Sequence, residues 1–316
     1  MKIGLLANKS AGSAEGLKEA VQKLKTAWRD HRLRGVSEYG GDFLENPFPA
    51  PPRLPYVERL EAALKRLAED QPDFILCLGG DGTAAYAAEY LLRNKLDIPL
   101  SGLGLGTANA GPIVTLKTDN IPPAESLIPR RLGAVEATDM AGRHIAYGFN
   151  DLVLGNTLLG TREGLTRTFS AARLLKEGVL QEEAPLKALS EKEIIFSVNG
   201  KRMEALPFKP AQLIASPVEQ TEPFYGRAVT GLLCYTPGAP SQGAVYLASH
   251  PIISAEESEQ GFSQWLTGAQ ILLGEGSSLC LEHLSPAIFV IADGNPYRIP
   301  EGSVRIQYIP ELLRVL

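Results

Sequence analysis

Phe74-Ile75-Leu76-Cys77-Leu78-Gly79-Gly80-Asp81-Gly82-Thr83-Ala84-Ala85-Tyr86-Ala87-Ala88 is the stretch from which the fold is read. The apolar run Phe74–Leu78 predicts a buried strand, and the Ala-rich segment Ala84–Arg93 predicts a helix. Between them stand three glycines in four positions. They let the backbone turn tightly and approach a ligand with no Cβ in the way. The helix that follows offers unpaired N–H groups and the positive end of its dipole, which suits phosphate. Asp81 would then sit beside the phosphates, where a carboxylate can hold Mg²⁺ or take a proton from an attacking hydroxyl. A plain strand–turn–helix connection with Asp81 as a cap does not need so many glycines.

On the N-terminal side, Ile3–Ala7 is another short apolar run, followed by a helix with Leu17, Val21, Leu24 and Trp28 at three- to four-residue spacing. A second helical stripe, Val57, Leu60, Leu64 and Leu67, is stopped by Asp70-Gln71-Pro72. On the C-terminal side a strand is expected at Ile98–Leu103. Strand and helix alternating in this way predict a parallel sheet wrapped by helices. Tyr39–Pro55, with Gly40-Gly41 and five prolines, reads as a surface loop or as a lid near a ligand. The basic cluster Arg29, His31, Arg32 and Arg34 beside Trp28 reads as the solvated end of the first helix, ahead of a phosphate or anion role.

After about residue 122 the pattern changes. Val135–Met140 and His144–Leu154 flank the hairpin signal Ala141-Gly142-Arg143, and Asn199-Gly200 and Asp293-Gly294 are preferred two-residue turns. Further strands are expected at Glu193–Val198, Gln212–Ser216, Ala228–Tyr235, Val245–Ala248, Ala287–Ala292 and Val304–Ile309, with one helical interruption at Leu165–Val179. The expected organisation is an α/β N-terminal domain, residues 1–122, and a mainly antiparallel C-terminal domain, residues 123–316.

A second glycine stretch, Gly102-Leu103-Gly104-Leu105-Gly106-Thr107-Ala108-Asn109-Ala110-Gly111, follows the next strand. It does not match the G-x-G-x-x-G dinucleotide fingerprint, and the chain has no G-x-x-x-x-G-K-[ST] loop. Two glycine-rich strand ends side by side would form a crevice at the carboxyl edge of the sheet. Asn8-Lys9-Ser10-Ala11-Gly12 would lie on the same edge.

Composition narrows the partners. A net charge of −5 gives no basic field for a nucleic acid, and no segment approaches the roughly 18 apolar residues of a spanning helix. The first apolar run is too short for a signal peptide. Cys77, Cys234 and Cys280 are odd in number and far apart, which suits buried thiols in the cytoplasm. His31, His144, His250 and His283 have no zinc-site spacing.

Gly79-Gly80-Asp81-Gly82-Thr83 resembles the G-G-D-G-T hallmark of NAD kinases, diacylglycerol kinases, sphingosine-type lipid kinases and 6-phosphofructokinase relatives. Gly106-Thr107-Ala108-Asn109 is similar to the second motif of that superfamily, and Asn8–Gly12 to its opening motif, with Lys9 in place of the usual proline. Asn150-Asp151 resembles the N-[DE] pair that in NAD kinases holds the adenosine side of NAD, and Asp293-Gly294 through Leu316 resembles the C-terminal hairpin.

The resemblance implies a kinase that transfers phosphate from ATP or polyphosphate, with Mg²⁺, to a hydroxyl of NAD or a related small-molecule nucleotide. Asp81 would be catalytic and a Mg²⁺ ligand. Asn8, Gly12, Gly79, Gly80, Gly82, Thr83, Gly106, Thr107 and Asn109 would bind phosphate groups, and Asn150, Asp151 and Thr236 the acceptor. The resemblance implies further that the α/β first domain is doubly wound and the second a β-sandwich. A cleft between the two domains, and assembly as a homo-oligomer, are further expectations.

Thr230–Ala244 departs from the NAD-kinase pattern. Thr236-Pro237 survives, but Thr230 stands in place of the leading Asp and the G-S-T-A-Y core is altered. The insertion around Leu165–Val179 is closer to kinase-like proteins encoded with acetoin catabolism enzymes. A nucleotide-binding regulator without turnover and a lipid kinase are the alternative readings.

Overall fold

The structure is a computed structural model that describes residues 1–8, 13–53, 56–105, 111–162, 165–218, 241–255 and 265–316. The chain divides into two compact units, Met1–Leu132 with Glu311–Leu316, and Gly133–Pro310.

The first unit alternates β1 (Lys2–Ala7), α1 (Ala14–Ala27), β2 (Arg32–Gly35), α2 (Tyr56–Glu69), β3 (Phe74–Gly79), α3 (Asp81–Arg93), β4 (Leu100–Gly104) and β5 (Val114–Lys117). The five strands pair in parallel in the order β2-β1-β3-β4-β5. Because side chains alternate along a strand, Ile3, Leu5, Ala7, Phe74, Leu76 and Leu78 form one core with Leu17, Val21, Leu24 and Trp28 of the α1 region. Ser13 starts α1 by accepting the Gly16 N–H on its hydroxyl at 3.0 Å. Helix α2 packs on β1, and α3 on β3 and β4.

Two expectations in this unit are corrected. Val57 is not part of the buried stripe of α2: it is 39% exposed, whereas Leu60, Leu64 and Leu67 are buried. Arg32 and Arg34 do not end the first helix in solvent. The helix stops at Ala27, Trp28 is 1% exposed, and Arg32–Gly35 is the edge strand β2. Trp28 lies edge-on to Phe74 and donates its indole N–H to the Pro122 carbonyl, and this packing overrides the charged surroundings that suggested a surface. Most of Tyr39–Pro55 is described. Tyr39 and Phe48 are buried, and Phe48 bridges Val36, so this part of the loop is packed against the sheet.

The second unit is largely antiparallel. It runs through β6 (Arg130–Thr138), β7 (His144–Gly148), β8 (Leu152–Gly155), β9 (Thr157–Arg162), β10 (Leu165–Ser170), α4 (Ala171–Glu177), β11 (Ile195–Val198) and β12 (Lys201–Arg202). It continues with β13 (Gln212–Val218), β14 (Gln242–Ala248), β15 (Gly268–Leu273), β16 (Ser278–Glu282), β17 (Phe289–Ala292), β18 (Asn295–Arg298) and β19 (Val304–Val315). One sheet has the order β15-β14-β13-β8-β17-β18, and β12-β11-β16-β19 with β6 and β7 belong to another. A single core takes Leu152, Leu213 and Val290 from the first and Val135, Phe196, Leu279 and Ile306 from the second. Phe169, Leu158 and Ala171 cover the outer face of the first sheet with Val153, Ile214 and Phe289.

Here too the sequence reading is corrected in places. His144–Leu154 is not one strand: β7 and β8 lie in different sheets, and Phe149-Asn150-Asp151 joins them. Leu165–Val179 begins as strand β10 and becomes helical only at Ala171, because Phe169 and Leu158 pair across the β9–β10 hairpin. Strands β9, β15 and β16 were not read from the sequence, and the expected strand at Ala228–Tyr235 lies outside the described residues. The two turn signals hold: Asn199-Gly200 and Asp293-Gly294 all have positive φ, between 48° and 82°.

Leu76 is fully buried in the middle of β3, so Leu76→Ala is expected to cost about 2–5 kcal/mol. Val57→Ala, on the exposed side of α2, should stay within about 0.5 kcal/mol. Urea midpoints of the two variants measure the difference, and equal shifts would contradict the assigned faces.

Candidate functional site

Parallel register brings the ends of β1, β3 and β4 to one edge of the sheet, where their backbones are tied together. The Asn8 N–H donates to the Leu78 carbonyl at 2.9 Å, and the Leu105 N–H to the Gly79 carbonyl at 3.1 Å. Gly80 has an extended backbone and makes no side-chain cap, so α3 begins at Asp81 directly after the glycine turn. The Asn8 side-chain amide donates to the hydroxyl of the buried Thr83 at 3.0 Å. A Cβ on Gly79 would come within 3.3 Å of that hydroxyl and 3.5 Å of the Asn8 Cβ, so the pair closes over a bare backbone.

The second glycine stretch converges on the same carboxylate. A Cβ on Gly111 would lie 2.8 Å from Asp81 Oδ1 and 3.0 Å from its Cγ. A Cβ there would make the Asp81 carboxylate shift, so glycine lets the backbone at Gly111 lie close against it. Asn8, Gly79, Gly80, Asp81, Gly82 and Thr83 are therefore brought together. Gly12, Gly106, Thr107, Asn109 and Thr236 lie outside the described residues. Among the described residues no group of three or more His, Cys, Asp or Glu side chains is gathered as a metal cage. A lone carboxylate such as Asp81 fits Mg²⁺, which keeps waters and phosphate oxygens as most of its ligands.

Asn150 and Asp151 sit in the second unit, in the crossing from β7 to β8. This crossing is organised by a residue that sequence reading took only as the start of a turn. The buried carboxylate of Asp293 accepts the N–H groups of Phe149 at 2.9 Å, Asn150 at 2.8 Å and Asp151 at 3.0 Å. The Asp293 N–H returns a bond to the Asp151 carbonyl at 3.0 Å. The Asn150 amide donates to Asp151 Oδ2 at 2.9 Å, and the Ser216 hydroxyl to the Asn150 carbonyl at 2.7 Å. Asn150 Oδ1 is buried without a hydrogen-bond partner among the described residues, an acceptor held ready for a donor. The available signal for Asp293 was its residue type: an aspartate opening a two-residue turn can fold its carboxylate onto neighbouring N–H groups.

A third polar cluster escaped sequence reading altogether. Buried Glu136 on β6 meets His144 Nδ1 at 2.8 Å and accepts from the Gln307 amide at 2.6 Å. The His144 ring lies against Tyr147, centroids 4.2 Å apart. Burial pushes the Glu136 carboxyl up, but hydrogen bonds from His144, Gln307 and Tyr147 and the charge of His144 outweigh it and hold the pKa below 4.5.

Residues 2–140 match the diacylglycerol kinase catalytic domain family. An uncharacterized protein of Archaeoglobus fulgidus is 29% identical over 119 residues, which span 36% of this chain and 34% of that relative. The chain thus matches about a third of the length of that curated relative. Among solved structures, a diacylglycerol kinase from Bacillus anthracis aligns with a TM-score of 0.52 at 14% identity, over 99% of this chain and 96% of that one. Yeast NADH kinase complexed with NADH aligns with a TM-score of 0.53 at 10% identity, over 100% and 82%. At these identities the structures share the fold.

Two outcomes follow for the polar clusters. Asp293→Ala leaves three N–H groups without their acceptor and should cost about 3 kcal/mol or more, with Asp293→Asn milder, measured by chemical denaturation. A carboxyl with a lowered folded pKa stabilises the fold above its unfolded value and loses that contribution as pH falls through the folded one. Glu136→Gln should therefore destabilise by about 1–3 kcal/mol at neutral pH. The gap to the unmodified protein should narrow as pH is taken from about 6 to about 3. A gap independent of pH would remove the ionised Glu136 from the balance.

Proposed function

Because residues 2–140 match the diacylglycerol kinase catalytic domain family, we propose that the chain is a member of the superfamily that joins NAD kinases and diacylglycerol kinases, a phosphotransferase acting on a hydroxyl, with ATP or polyphosphate as donor and NAD or a related nucleotide as acceptor. The observation that carries this reading is the approach of Gly111 to Asp81, through which both glycine stretches meet at one carboxylate next to a helix start. Backbone N–H groups at that start would bind donor phosphates, beside the Asn8–Thr83 contact. Mg²⁺ bound through Asp81 would neutralise phosphate charge. Asp81 would take the proton of the attacking hydroxyl, and positioning with charge neutralisation would supply most of the rate. Asn150 and Asp151 are the candidates for binding the acceptor, and the buried Asn150 Oδ1 supports this as a hydrogen-bond acceptor without a partner among the described residues. A reducing, cytoplasmic setting is supported by Cys77 and Cys280, both free and buried, with burial pushing the Cys77 thiol up to about 12.

A lipid acceptor is the second reading. It is favoured by the family match and by the exposed Leu159, Leu165, Leu175, Val179 and Leu180 along β9, β10, α4 and the residues after it, each 37–54% exposed. Incubation with ATP, Mg²⁺ and separate acceptors, NAD and a diacylglycerol in mixed micelles, distinguishes the readings by which one yields phosphorylated product and ADP. Nucleotide binding with no product from any acceptor would favour a regulator without turnover. With the productive acceptor, Asp81→Asn should lower kcat by a factor of about 10²–10⁴ and leave nucleotide affinity nearly unchanged. Wild-type turnover in that variant would exclude Asp81 as the base.

A further inference from the structure

A pocket of about 350 Å³ opens in the first unit between the end of α1, the edge strand β2 and the segment Leu44–Asn46. Lys25, Arg29, Arg32 and Arg34 line it together with His31 and Glu45. This concentrates positive charge in a chain whose net charge is −5.

The cations are not equally engaged. Arg34 donates to the Asn46 carbonyl at 3.1 Å, approaches Asp70 at 3.4 Å and stacks 4.2 Å over the Phe48 ring. His31 Nε2 lies 2.9 Å from Glu125, and Arg29 pairs with Asp30 at 3.6 Å at the surface. Lys25 and Arg32 have no carboxylate within salt-bridge distance among the described residues.

Two ordinary explanations cover part of this pattern. Cations near a helix C-terminus complement its dipole, which suits Lys25 and Arg29. Charged residues on an edge strand discourage pairing with another chain, which suits Arg32 and Arg34. Neither accounts for two uncompensated cations lining the same concavity, nor for Arg34 being held in place by three contacts. A guanidinium matches phosphate oxygens in fork geometry, and a volume of this size lies in the small-molecule range.

We propose that this pocket is a second anion site, which takes a small molecule carrying a chain of phosphates. It is separate from the glycine turn. Lys2 pairs with Arg32 and Leu5 with Gly35 in parallel register, so Arg32–Arg34 stand beside the beginning of β1. Asn8 and Gly79 stand beyond its other end, at the carboxyl edge of the sheet.

Sodium tripolyphosphate in Mg²⁺-free buffer is the probe. Calorimetric titration should show saturable binding that weakens about tenfold or more in Lys25→Ser/Arg32→Ser, since two charge-assisted contacts are lost. Arg32 is exposed and Lys25 half-buried in the last turn of α1, and an unchanged circular dichroism spectrum and melting temperature confirm that the variant folds. Backbone amide shifts in the unmodified protein should move at Lys25–Arg34 and Leu44–Asn46. Equal affinity in the two proteins, or shifts confined to Gly79–Thr83, would overturn the proposal, the latter by assigning the polyanion to the donor loop. Neither result depends on phosphoryl transfer, so the site stands or falls apart from the kinase reading.

Discussion

The carbonyls of Leu78 and Gly79 accept hydrogen bonds from Asn8 and Leu105, and through them three strand ends are held level at the edge of the parallel sheet. Everything assigned to the first unit's site rests on that levelling. Once the strands are in register, the ends of β1, β3 and β4 lie at neighbouring points, and α3 starts directly after the turn that follows β3. The buried faces of β1 and β3 enforce the register, because a slip of one residue would turn Leu5 and Leu76 away from the α1 side. The core thus positions polar groups that make almost no contribution to it.

Glycine has a second role at this edge besides turning the chain. Gly79 and Gly111 are places where a Cβ would meet Thr83 or Asp81, so close backbone approach is the condition for the Asn8–Thr83 contact and for the crowded Asp81 carboxylate. In the second unit the comparable task falls to a charge. Asp293 gathers three consecutive N–H groups, a number that an uncharged turn side chain does not ordinarily satisfy, and so shapes the Phe149–Asp151 crossing between two sheets. Backbone donors at such a crossing have no strand partner, and burying them without an acceptor would be costly.

Charge in this protein is distributed against its average. An acidic chain keeps a depressed carboxyl, Glu136, inside a cluster with His144 and Gln307, and concentrates arginines at the amino edge of its parallel sheet. Arg34 shows how one residue can serve both packing and charge, lying over Phe48 while its guanidinium remains at the pocket.

The sequence by itself determined the first unit's strand–helix alternation apart from β2 and β5, the turns at Asn199-Gly200 and Asp293-Gly294, and the glycine motif around Asp81. These are set by local periodicity, by φ preferences and by residue types adjacent in the chain. It misplaced Trp28 and the arginines that follow, because the run of charges suggested solvent while the indole's partners, Phe74 and Pro122, are distant in sequence. It joined β7 and β8 into one strand, since nothing local marks a change of sheet; the reason for the break, Asp293, lies more than a hundred residues away, at a separation of 142 from Asp151. Only the tertiary structure decided that Gly111 meets Asp81, that Glu136 meets Gln307, and that Lys25 and Arg32 share a pocket. Each of these depends on pairing between segments whose spacing along the chain carries no periodic signal, and such pairing is settled by packing the whole core.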